Sequence, residues 1–93
     1  MGDSADKRPA ITVSKDVLTA HLEGEAVLLH LETKQYYRLN ETGAFIWKCF
    51  EKGLDTTATA ARLIEEFDVD TATAETELQR VLVELRARLL VEA

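Results

Sequence analysis

The sequence predicts an α+β domain, a three-stranded antiparallel sheet followed by three helices. Three observations lead there. A chain of 93 residues can enclose one modest core and no second one. From Val17 to Leu39 short β-prone runs, readable with a period of two, are separated by turn signals. At Asn40 that period of two gives way to the period of 3.6 expected of helices, which then holds to the C-terminal end.

The first ten residues, "MGDSADKRPA", show no periodicity and read as a mobile lead-in, with residues 11–93 as the domain. "AITV" suggests a short strand. "VLTAHL", Val17 to Leu22, is the first clear one, with Leu18, Ala20 and Leu22 sharing a face. "EGE" supplies a tight turn centred on Gly24 and Glu25. "AVLLHL" follows, with Val27, Leu29 and Leu31 on one face and Leu28 and His30 on the other; "ETK" turns again, and "QYYRL" is the third strand. Asn40 then has the short polar side chain of an N-cap, and Glu41 sits in the first turn, where the helix dipole favours a negative charge. Gly43, Ile46, Trp47 and Phe50 recur at i, i+3, i+4 and i+7 as one buried stripe, and the helix is expected to stop near Gly53. The second helix is expected to start at a Thr57 cap and to bury Ala60, Leu63, Ile64 and Phe67 until "DVD" breaks it. The third runs from Thr71 to Leu89, with Leu78, Val81, Leu82, Leu85 and Leu89 inward and Glu84 paired to Arg88.

Composition excludes several classes of function. With 46% apolar and 30% charged residues the chain reads as globular. It has no apolar run of the ~18 residues needed to span a bilayer, and its polar start lacks a signal-peptide core, so a cytoplasmic location without membrane attachment is expected. The single Cys49 agrees with a reducing compartment. The net charge is −6: from Asp55 onward nine acidic residues face four arginines (−5), and before it eight face seven basic residues (−1). Neither half carries the basic footprint that a phosphate backbone requires.

The alternation places Tyr37 and Leu39 on the inner face of the third strand and Tyr36 and Arg38 on the outer one, where an aromatic body with a polar tip suits either recognition or plain coverage of the sheet. Trp47 belongs to the buried stripe. His21 and His30 share a face but have no third ligand at useful spacing, and read as ordinary strand residues rather than a metal site. Cys49 lies near Lys48 and Lys52, which would lower its pKa if it were exposed; a buried small hydrophobe is the simpler reading. With no phosphate-binding glycine loop, cysteine pair or nucleophile and base on a plausible scaffold, no enzyme and no cofactor are expected. The third strand ends the meander, so one of its edges is expected to be open, and an open edge accepts an extended peptide as an added strand. The competing reading is a winged helix-turn-helix DNA-binding regulator. Against it, Asp70, Glu75 and Glu77 put negative charge where a recognition helix would meet phosphate.

At "YYRLNETGAFIW" the chain resembles the PqqD-like proteins, whose fold is the RiPP recognition element, a peptide-binding variant of the winged helix-turn-helix. Leu39, Asn40, Gly43, Ile46 and Trp47 carry the pattern, and "EKGLD", "EEFDVD" and "LLVEA" extend it over roughly Ile11 to Val91. The resemblance implies a binding module that captures the leader of a ribosomally made precursor peptide and presents it to a modifying enzyme, such as the radical S-adenosylmethionine protein of pyrroloquinoline quinone biosynthesis. It implies that the leader adds to the third strand, at Gln35, Tyr36, Tyr37, Arg38 and Leu39, and lies against the third helix at Leu78, Leu82, Val83 and Arg86. The acidic Glu75 and Glu77 would then favour basic leader residues. Some relatives dimerise, so monomer and homodimer both stay open; Leu90, if exposed, would serve a dimer.

Overall fold

The computed structural model describes residues 11–92, so the lead-in expected over residues 1–10 lies outside the described residues. The order along the chain is β1 (Val17–Leu22), β2 (Glu25–His30), β3 (Tyr36–Leu39), α1 (Glu41–Glu51), α2 (Thr56–Phe67) and α3 (Thr71–Ala87). The strands form one antiparallel sheet in the order β1-β2-β3. The α+β class expected from the change of period is the observed one.

Leu22 pairs with Glu25, so the first turn consists of Glu23 and Gly24, one residue earlier than expected. The reason is conformational. Gly24 takes φ 72°, a value that costs glycine nothing, while Glu25 joins the strand. The resulting register puts Ala26, Leu28 and His30 of β2 on the buried face with Val17, Thr19 and His21 of β1 and Tyr37 and Leu39 of β3. Leu18, Leu22 and Tyr36 occupy the outer face and are more than half exposed.

Asn40 caps α1 as expected: its Oδ1 accepts the Gly43 N–H at 2.9 Å. Gly43, Ile46, Trp47 and Phe50 are all buried, and α1 lies across the sheet through β2 and β3. The Trp47 indole N–H donates to Thr19 Oγ1 at 3.0 Å, which fastens the helix to β1. The cap of α2 is Asp55, whose Oδ1 accepts the Ala58 N–H at 2.8 Å, and not Thr57. Aspartate two residues earlier sits in extended backbone and satisfies a free amide at the helix start, which leaves Thr57 exposed within the first turn. Replacing Asp55 with Ala is expected to cost about 1 kcal/mol of unfolding free energy, read as a lower urea midpoint at unchanged slope.

Asp70 caps α3 in the same way, and the Thr73 N–H it accepts holds its carboxyl below the usual range. A carboxyl whose pKa is depressed by folding adds stability above its unfolded pKa and loses it as pH falls through the folded one. Asp70→Asn is therefore expected to keep the cap and flatten the acid side of a pH-stability curve.

α3 stops at Ala87, two residues short of the expected end, because Leu89 takes the left-handed φ of 59° and turns the chain. That reversal exchanges the fates of two leucines. Leu89 is 61% exposed and Leu90 only 1%, so Leu90 belongs to the core and is not a dimer surface. Of the strand expected at "AITV", what forms is an isolated bridge between Val13 and Val91, backed by Ser14 N–H to Leu90 O and Glu92 N–H to Thr12 O. His30 holds the same corner: its Nε2–H donates to Leu89 O and its Nδ1 accepts the Glu32 N–H, both at 3.2 Å. His21 lies at the far end of that face and donates to Glu51 at 2.9 Å. Among the described residues no three His, Cys, Asp or Glu are placed to hold a metal ion, and no helix is long and apolar enough to cross a membrane.

Candidate functional site

β3 is the last strand of the sheet, so one of its edges faces no other strand among the described residues. Which backbone groups point that way follows from the ladder. His30 N–H donates to Gln35 O, and in an antiparallel pair hydrogen-bonded and non-hydrogen-bonded positions alternate. Tyr37 and Leu39, opposite Leu28 and Ala26, therefore turn their amides toward β2, and Tyr36 and Arg38 turn theirs outward. The two residues whose side chains lie on the outer face of the sheet also carry its open edge.

Beside that edge runs a groove whose second wall is α3. Tyr37, Leu39, Val81, Leu85 and Leu90 give it an apolar floor, and Arg38, Arg80, Glu84 and Arg88 line its rim. Each rim arginine has a carboxylate partner. Arg38 donates through Nε and Nη2 to Glu25 Oε1 at 3.1 and 3.0 Å, Arg80 is bonded to Glu77, and Arg88 reaches Glu84 at 3.3 Å. The Arg88 guanidinium also lies over the Tyr37 ring, 4.9 Å from its centre, bridging helix and strand. All these pairs are solvent-exposed and worth little individually, so a polar side chain arriving at the rim can exchange with them at small cost.

Of the expected strand residues, Tyr36 to Leu39 form this edge, and Gln35 lies just before it with its carbonyl accepting the His30 N–H. The four expected helix residues do not face it. Leu78 and Leu82 are 2% and 1% exposed and pack in the core. Val83 and Arg86 are exposed, but they fall between the groove-lining positions of the helical repeat and so project from another side of α3. Glu75 lines the α2–α3 cleft, and Glu77 is engaged by Arg80. The α3 residues that line the groove and were not among those expected are Arg80, Val81, Glu84, Leu85 and Arg88. A signal for them existed: Val81 and Leu85 read as inward and Glu84 with Arg88 as a surface pair, yet all four share one flank at i, i+3, i+4 and i+7.

Cys49 lies on the inner side of α1, away from the groove and 4% exposed. Burial pushes its thiol up, against weaker opposing pulls from Arg62 and Lys52. Folding thus favours the thiol over the thiolate, and this contribution to stability fades as pH rises above the ordinary cysteine range. The expected result is negligible alkylation by iodoacetamide at pH 8 in buffer and rapid alkylation in urea.

The sequence matches the family described as coenzyme PQQ synthesis protein D (PqqD) over residues 25–91. No curated protein matches it significantly. Among solved structures it is similar to TbiB1 in complex with the TbiA(beta) leader peptide, with a TM-score of 0.84 and 34% identity over 88% of this chain and 95% of that one. Lasso peptide synthetase B1 complexed with the leader peptide shares the fold, with a TM-score of 0.80 and 22% identity over 89% of this chain and 98% of that one.

Proposed function

The chain belongs to the PqqD family, and from that premise we propose that it is a non-catalytic peptide-binding module that captures the leader of a ribosomally made precursor and presents it to a modifying enzyme. The observation that carries the reading is the open β3 edge beside an apolar groove, in a chain 34% identical to a protein solved with a leader peptide. The outward amides of Tyr36 and Arg38 supply main-chain affinity, and the floor made by Leu39, Val81, Leu85 and Leu90 accepts alternate side chains of the added strand. On the helix side the contacts are Val81, Glu84, Leu85 and Arg88 rather than Leu78, Leu82, Val83 and Arg86. Tethering the precursor raises its effective concentration at the partner enzyme, a radical S-adenosylmethionine protein or another maturase, where the chemistry takes place.

The test is an amide-shift titration of isotope-labelled protein with a peptide selected on the wild-type chain from a random display library. Shifts concentrated over residues 35–39 and 80–88 are expected. Shifts with duplex DNA, together with failure to select any peptide, would instead favour the DNA-binding regulator.

A further inference from the structure

The sheet has a second open edge. β1 begins the sheet, and its outer side faces no other strand among the described residues. Leu31 N–H donates to Asp16 O just beyond the Val17–His30 pair, so Leu18, Ala20 and Leu22 turn their amides toward β2, and Val17, Thr19 and His21 turn theirs away from it. Ser14 O accepts the Val17 N–H at 3.3 Å, which leaves Thr19 and His21 as the outward donors of the strand.

Edge strands are commonly blunted by charge, proline, a bulge or short length. β1 is as long as β2, pairs with it in unbroken register, and holds no Lys, Arg, Asp, Glu or Pro. Its outer face is apolar, with Leu18 56% and Leu22 51% exposed and the exposed Ala20 between them.

An extended peptide would gain main-chain bonds on this edge but little else, because β1 has no counterpart of α3. Helix α1 lies across β2 and β3 and reaches β1 through the Trp47–Thr19 and His21–Glu51 bonds. A second copy of β1 fits better. Leu18, Ala20 and Leu22 read the same in both directions about Ala20, and the outward amides of Thr19 and His21 flank that same residue. A two-fold axis at Ala20 therefore sets Thr19 opposite the second copy's His21 as a hydrogen-bonded pair, twice over. It also sets each Leu18 opposite the other copy's Leu22 at non-hydrogen-bonded positions, where side chains approach most closely. Charge opposes this contact only weakly: residues from Asp55 onward, which build α2 and α3, hold −5 of the net −6, and the half with the sheet holds −1.

We infer that β1 is a self-association edge, joining two copies through a two-fold axis at Ala20 into one six-stranded antiparallel sheet with a free β3 edge at each end. The inference does not rest on the peptide-binding reading. A strand pair about 20 Å long buries less than a standard stable interface, so the dimer is weak and forms at high micromolar concentration.

Sedimentation equilibrium tests this. Between about 10 µM and 1 mM the weight-average mass of the wild type is expected to climb from near one chain toward two. Leu18→Lys with Leu22→Lys puts like charges at both leucine contacts and should stay monomeric throughout. Leu18→Glu with Leu22→Lys puts opposite charges there and should associate at least about tenfold more tightly than the two-lysine variant at low salt. Within one strand the two positions are about 13 Å apart, so these charges meet only across the two-fold axis. His21→Pro removes one outward amide per copy, leaves the β1–β2 ladder intact, and should weaken association about tenfold or more. Arg38→Pro, at the opposite edge, should associate as the wild type does. Circular dichroism checks the fold of each variant, and the paired charge variants decide the matter if His21→Pro is not folded. A wild-type chain that is monomeric at 1 mM, or a mass that rises equally in the two-lysine variant, would overturn the inference. So would a peptide selected by display on Arg38→Pro and lost on His21→Pro, which would put a peptide rather than a second copy on this edge.

Discussion

Replacing Arg38 with proline is expected to weaken peptide binding by about a hundredfold or more while the domain stays folded. Proline lacks the N–H, and at position 38 that group points away from β2, so the sheet's own ladder is left intact. The incoming strand loses one hydrogen bond outright, finds a ring in the place of an amide, and keeps an unsatisfied carbonyl. Together these amount to roughly 3 kcal/mol, about two decades in affinity. Two companions separate backbone from side chain. Arg38→Ala removes the guanidinium and its Glu25 contact but keeps the amide, and should change affinity by less than about fivefold, since the pair is exposed. Tyr37→Pro removes an amide that faces β2 and should unfold the sheet instead. Fluorescence anisotropy with a selected peptide, and circular dichroism on each variant, read the two outcomes. Equal binding by Arg38→Pro and wild type would rule out strand addition at this edge.

That experiment turns on a distinction only partly legible in the sequence. Alternation shows that Tyr36 and Arg38 share a face, and the position of "QYYRL" at the end of the meander marks it as an edge. The strands, the Asn40 cap and the α1 stripe could be read because each rests on local physics: side-chain period, a cap's hydrogen bond, a turn's glycine. The α3 side of the groove could not be read in the same way. Where a helix rotates against a strand is set by how its whole apolar stripe seats in the core, and Leu78 and Leu82 belong to that stripe, so they are consumed by packing. The groove falls to the flank of the stripe, where Val81 and Leu85 border Glu84 and Arg88. Leu89 and Leu90 teach the same point. Periodicity assigns Leu89 inward, but one left-handed residue hands the core to Leu90, and nothing in the local spacing announces that reversal.

Trp47→Ala is expected to be the most destabilising single change in the chain. Trp47 is 1% exposed in the main core cluster, and its indole N–H donates to Thr19 Oγ1. Truncation removes the largest buried side chain, costing about 3–5 kcal/mol, from a domain whose total is on the order of 5–14 kcal/mol for its size. Most of the stability goes, and far-UV circular dichroism with urea should show a transition beginning in the absence of denaturant. The polar part can be separated from the packing part. Thr19→Val leaves the buried N–H without an acceptor and should cost about 1–3 kcal/mol, whereas Trp47→Phe with Thr19→Val removes both partners and should lose less than the sum of the single changes. Trp47 lies under the sheet rather than on the β3 edge, so its loss lowers peptide affinity only through the folded fraction. A selected peptide in large excess should then refold Trp47→Ala by mass action, and the same excess should do nothing for Arg38→Pro beyond slow saturation of a weak site. A Trp47→Ala protein that refolds with peptide but binds it with an intrinsically altered affinity would mean that α1 shapes the groove directly, not only through the core.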